Sequence, residues 1–139
     1  FQIASPSLIG LRCIKSAFGM IEEAGIGAIS EKAAIGTEMM IQLYDAWLAD
    51  LGFTLLTSRN PQERGGHISL GHPDADRICV ALREFADVIP DYRTPNLIRL
   101  AIAPLPTAYV EVWDGFARIR DLVSSRQYEK IEKTDSRVT

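Results

Sequence analysis

Gly65-Gly66-His67-Ile68-Ser69-Leu70-Gly71-His72-Pro73-Asp74-Ala75-Asp76 carries two structural periods back to back. Ile68 and Leu70 alternate with His67 and Ser69, the two-residue repeat of a strand with one buried face. Pro73 then suits the first turn of a helix, and Asp74 and Asp76 favour its positive N-terminal end. Ile78, Leu82 and Phe85 follow at helical spacing. The stretch predicts a strand running into a helix. Upstream of it, Phe53-Thr54-Leu55-Leu56-Thr57 is strand-like and Ser58-Arg59-Asn60-Pro61 is turn chemistry. Downstream, Val88-Ile89 and Leu97-Ile98-Arg99-Leu100-Ala101-Ile102 are strand candidates. The segment from Pro90 to Pro95 between them cannot continue a central ladder.

The flanks are helical. Pro6 fits a first turn with Ser5 as its cap, and Leu8, Leu11, Ile14, Phe18 and Ile21 recur every three or four residues until Gly25. A longer stripe, Ile29, Ala33, Gly36, Met40, Leu43 and Trp47, ends at Gly52, and its ends are expected to overhang a small domain. Thr107 can cap a last helix with Val112, Phe116, Ile119 and Val123 inside, and the polar tail beyond it is expected to fray. The order predicts an α+β fold. A small sheet of about four strands, mainly antiparallel, packs on helices and is preceded by two long helices. Residues 1–25 form the leading helix, 26–124 the small domain and 125–139 the tail.

Composition bounds the function. A chain of 139 residues is about one domain, and 47% hydrophobic with 24% charged residues is ordinary for a folded core. A formal net charge of -3 and a pI near 5.4 offer no footprint for nucleic acid. No apolar run approaches the roughly 20 residues needed to cross a bilayer, and no signal peptide opens the chain, so a cytoplasmic location without membrane attachment is expected. Cys13 and Cys79 are too few for a disulfide framework and are read as reduced thiols in helices. The chain opens at Phe1, without Met and inside a patterned stretch, which suggests a piece of a longer protein.

Motifs for common chemistries are missing: no P-loop, no dinucleotide glycine fingerprint, no HExxH, no CxxC and no nucleophile elbow. His67 and His72 have no third ligand close in sequence, so they are read as solvated or turn histidines and no metal is assigned. Glu22-Glu23 and the mixed charges from Tyr128 to Arg137 read as solvated surface, and Arg64 and Arg93 as structural arginines. Arg99 interrupts an otherwise apolar strand, and a guanidinium cannot shed its proton to escape burial. Two readings stand: an ion pair with Asp91 or Asp87, or a planar fork for a ligand carboxylate.

Three segments carry a family resemblance: Phe1-Gln-Ile-Ala-Ser5-Pro6 ahead of two helices, Arg64-Gly-Gly-His-Ile-Ser-Leu-Gly-His-Pro73, and the run from Pro90-Asp-Tyr-Arg-Thr-Pro-Asn-Leu-Ile-Arg99 to Val110-Glu-Val-Trp113. Over roughly nine-tenths of the chain they resemble the C-terminal part of the kynureninases, fold-type I pyridoxal phosphate enzymes. The resemblance implies a homodimer in which this small domain closes over a cofactor held by a large domain. It implies a small-molecule substrate, kynurenine or 3-hydroxykynurenine, cleaved hydrolytically to alanine and an anthranilate in tryptophan catabolism. It makes Arg99 the residue that binds the substrate α-carboxylate, and Ser5, at a position commonly Thr or Asn, a contact to the cofactor phosphate or the substrate. The Schiff-base lysine of the family lies upstream of the matched segment, and Lys15, Lys32, Lys130 and Lys133 do not match it, so no catalytic residue is expected here and the chain alone should be inactive. Ala4 stands at a Gly or Ser position and His67 where a Gln is common; Pro106 stands where Tyr is usual, and that departure puts substrate preference in doubt. The alternatives are another fold-type I lyase or aminotransferase and a non-catalytic α+β dimerisation module.

Overall fold

In a computed structural model, which describes residues 7–132, four helices and four strands follow in the order α1 (Leu8–Ala24), α2 (Ile26–Leu43), β1 (Thr54–Leu55), β2 (His67–Gly71), α3 (Ala75–Phe85), β3 (Asp91–Arg93), β4 (Leu97–Ala101) and α4 (Tyr109–Ser124). The architecture is the expected α+β arrangement. The strands form one antiparallel sheet in the order β1-β2-β4-β3, with Ile68 opposite Leu100 and Leu70 opposite Ile98 at its centre. Alternation sends Ile68, Leu70, Ile98 and Leu100 to one face, where they meet Met40, Ile78, Leu82, Phe116 and Ile119 from the helices. Burying each of the larger side chains stabilises the fold by roughly 1.5–3 kcal/mol.

Helix α2 continues through a π-helical turn at Tyr44–Leu48 and a 3-10 turn at Ala49–Leu51, and Gly52 ends it at φ 87°, a left-handed conformation that glycine adopts without strain. Its buried residues begin at Gly36, so its N-terminal end overhangs as expected, but its C-terminal end does not: Leu43, Tyr44 and Leu48 are buried in the core. Gly25, at φ 78°, breaks the chain between α1 and α2. Helix α1 buries none of its residues.

Several elements differ from the sequence reading. The cap of α1 is Ser7, whose Oγ accepts from the Gly10 amide at 3.2 Å; Ser5 lies outside the described residues. Val88-Ile89 is not a strand, because the Val88 amide donates back to Leu82 O at 3.0 Å and finishes α3. The strand falls instead on Asp91–Arg93, at the sheet edge, the one place where flanking prolines cost no ladder bonds. Ala108 rather than Thr107 occupies the N-cap of α4, and its amide donates to the Glu111 carboxylate at 2.7 Å. Residues 127–130, expected to fray, form a 3-10 turn held by Arg77, which donates to Ile131 O at 2.8 Å and Glu129 O at 2.6 Å.

Candidate functional site

The sheet face turned away from the helices carries the polar residues of the strands. On β4, Ile98 points inward and is 1% exposed, whereas Arg99 points outward, its side chain 36% exposed. Antiparallel register sets Ser69 of β2 on one side of Arg99 and Asp91 of β3 on the other. Residues directly opposite on one face are close enough for side chains to pair. Arg99 Nη2 donates to Asp91 Oδ2, and Arg93 Nε donates to the same oxygen at 3.0 Å.

Two guanidinium groups against one carboxylate leave a surplus of one positive charge at this edge. Partial burial works to raise the Asp91 carboxyl, but the bonds and charges of Arg93 and Arg99 outweigh it and hold the group below its ordinary range. Of the two carboxylates considered as partners for Arg99, Asp91 is the one engaged. The aliphatic neighbours of Arg99 in sequence occupy the opposite face, so burial does not by itself compel an anion here. The charge surplus and the unfilled donors of the fork supply the reason instead.

Other residues singled out in the sequence separate cleanly. Arg64 is structural: with only 2% of its side chain exposed, it donates to Thr37 Oγ1 at 3.3 Å, to Arg59 O at 2.6 Å and to the Glu38 carboxylate, tying the loop before β2 to α2. Arg93 forms its ion pair with Asp91. His67 is exposed, but His72 is buried, not solvated: its Nδ1 accepts from the Asp74 amide at 3.0 Å, and its ring packs against Phe53 and Tyr128. Burial holds the imidazole below its ordinary pKa despite the charge of Asp74 and a bond to the Leu51 backbone. Buried Cys79 is pushed up to about 12 by desolvation, so its thiol stays protonated and unreactive at neutral pH, while Cys13 lies exposed on α1. Among the described residues no group of three His, Cys, Asp or Glu side chains could hold a metal ion. No helix among them is long and apolar enough to cross a membrane.

The place of Ser69 opposite Arg99 was missed in the sequence because it depends on the pairing of β2 with β4, whereas the pairing of Asp91 with Arg99 had a local signal. Charges at alternate positions 91 and 93, then a turn containing Pro95, then a charge at 99, describe one hairpin with its polar side chains on one face.

Comparison with known proteins gives these observations a context. A family model described as the kynureninase C-terminal domain matches residues 29–119. The kynureninase of Geobacillus thermodenitrificans (strain NG80-2) is 38% identical over 130 residues, covering 94% of this chain and 30% of that protein. The kynureninase of Bacillus anthracis is 36% identical over 132 residues, 95% of this chain and 31% of that protein, and that of Shouchella clausii is 34% identical over 132 residues, 95% and 30%. The chain thus spans about 30% of the length of the curated relatives it matches. With about two thirds of its length inside the family match and the α+β order that the resemblance implied, this chain belongs to the kynureninase C-terminal domain family.

Proposed function

We propose that this chain is the C-terminal part of a kynureninase, in which it supplies the arm that binds the α-carboxylate of kynurenine or 3-hydroxykynurenine. The observation that carries the reading is the cationic surplus on the open sheet face, where Arg99 keeps donors free while sharing Asp91 with Arg93. A guanidinium presents five N–H donors in a planar fork, which matches a carboxylate with two parallel bonds. Residues 1–25 link this domain to a large domain, 26–124 form the substrate-binding cap, and the intact enzyme is a cytoplasmic homodimer.

The cofactor reading is pyridoxal phosphate, which when bound supplies the electron sink for cleavage of a carbon–carbon bond. The described residues fit the substrate end of such a site and not the cofactor end. Lys15 lies on α1, Lys32 on α2 and Lys130 on the terminal turn, none of them on the face with Arg99. Within this chain Ser5 is the proposed contact to cofactor phosphate, Arg99 orients the amino acid by its carboxylate, and the lysine that holds the cofactor belongs to the large domain. Pro106, in place of the usual Tyr, removes a phenol from the loop before α4 and is proposed to alter the choice between the two substrates.

The test is Arg99→Lys in the full-length enzyme. An ammonium cannot make the two parallel bonds of the fork, so KM for kynurenine rises at least about tenfold. Unchanged kinetics overturn the assignment. The 139-residue chain alone, mixed with pyridoxal phosphate and reduced with borohydride, is expected to retain no stoichiometric cofactor on any one lysine, and a single labelled lysine contradicts the division of roles.

A further inference from the structure

We infer that Asp91 is a positioning residue for Arg99, fixing the plane of its guanidinium so that one edge of the fork faces an incoming carboxylate. The inference rests on the reading of Arg99 given above and goes beyond it by assigning a second residue to substrate binding. Asp91 and Arg99 are direct cross-strand partners on the open face of the sheet. The contact is single: Nη2 of Arg99 meets Oδ2 of Asp91, and no second bond between them forms. One of the five guanidinium hydrogens is therefore used, and at least one complete two-hydrogen edge remains for a ligand.

Arg93 completes the device. Its Nε donates to the same Oδ2 at 3.0 Å, so the carboxylate is itself held by a second guanidinium. An unanchored arginine samples many rotamers, and each ligand bond must then overcome that freedom; an anchored one presents its fork already oriented. All three side chains are substantially exposed, 36% for Arg99, 44% for Asp91 and 57% for Arg93. Ion pairs so exposed contribute little to folding, so orientation is the effect that Asp91 can exert here.

A different role for the same contact makes the opposite forecast. If Asp91 merely competed with the ligand for Arg99, removing it would raise the local positive charge and tighten carboxylate binding. Steady-state kinetics of the full-length enzyme decide between them. Asp91→Ala is expected to raise KM for kynurenine about tenfold with kcat within about twofold, and Asp91→Asn, whose amide oxygen still accepts from Nη2, to raise it less. Inhibition by the decarboxylated analogue of kynurenine, which has nothing for Arg99 to hold, stays unchanged in both variants. In an Arg99→Gln background Asp91→Ala adds no further loss. If Arg99→Gln itself leaves KM unaltered, the underlying reading of Arg99 fails. If Arg99→Gln raises KM while Asp91→Ala leaves it unchanged, lowers it, or weakens the analogue equally, the positioning role alone is overturned.

Discussion

Helices α1 and α3 are written in the same amphipathic language and end in opposite situations. Helix α3 buries Ile78, Cys79, Ala81 and Leu82 between the sheet and α4. Helix α1 is longer and has an apolar arc through Leu11, Ile14, Phe18 and Ile21, yet every one of its described side chains remains accessible, with Leu8 and Ile9 each 79% exposed. An apolar stripe states that a face is to be covered and is silent about what covers it. Among the described residues nothing covers this face of α1, whereas the same kind of stripe on α3 is enclosed.

The sharpest way to break the comparison is to truncate matching side chains. Leu82→Ala removes a fully buried side chain and is expected to cost about 2–5 kcal/mol in urea unfolding of the 139-residue chain, whereas Phe18→Ala on α1 costs less than about 0.5 kcal/mol. A loss at Phe18 approaching that at Leu82 means that α1 is covered in solution, and sedimentation of the same samples then reports whether a second copy covers it.

Glycines refine the contrast at smaller amplitude. A Cβ at Gly36 on the buried half of α2 would lie 2.7 Å from Ile102 Cδ1 and 3.2 Å from its Cγ2. The Cδ1 end can swing away, but the β-branched stem cannot, so Gly36→Ala destabilises by about 1–3 kcal/mol. Nothing lies within 4 Å of the same position at Gly19 on α1, and Gly19→Ala is expected to stabilise by about 0.5–1 kcal/mol through helix propensity alone. Thermal unfolding should show the two substitutions moving Tm in opposite directions; equal signs would erase the distinction between the covered and the open region.

Acid probes the covered region through His72. Its native pKa is depressed by burial, so the stability it contributes is complete above the ordinary histidine value of about 6.5 and is lost as pH falls through the lower native value. Protonation at Nδ1 also removes the acceptor for the Asp74 amide at the start of α3. The Tm of the unsubstituted chain should fall between about pH 7 and about pH 5 more steeply than that of His72→Gln. Parallel profiles would show that the His72 contacts do not set the acid sensitivity of this region.

The legible parts of the molecule are those written in neighbouring residues. The alternation Ile68-Ser69-Leu70 announced β2, the spacing Ile78, Leu82, Phe85 announced α3, and Gly52 announced the end of the α2 stripe. Val88-Ile89 misled because two consecutive β-branched residues read as a strand, while the carbonyl of Leu82 was still available to the Val88 amide. His72 looked like a turn histidine and proved to be buried because Phe53 and Tyr128, distant in sequence on either side, close over it. The candidate site was half legible: Arg99 stood out as a cation in an apolar strand, but its immersion among aliphatic side chains was an artefact of reading a two-faced strand as one line.

Taken alone, the order of residues determined the α+β class, most of the elements and their succession, the charge at Arg99 and the family likeness. These depend on short-range periods and on the identity of single side chains. Only the tertiary structure decided that Asp91 rather than Asp87 faces Arg99, that Arg93 shares its oxygen, and that α3 is enclosed while α1 is open. Those outcomes depend on strand register and on which surfaces meet, and both are set by packing among residues far apart in the chain, where local periodicity carries no information.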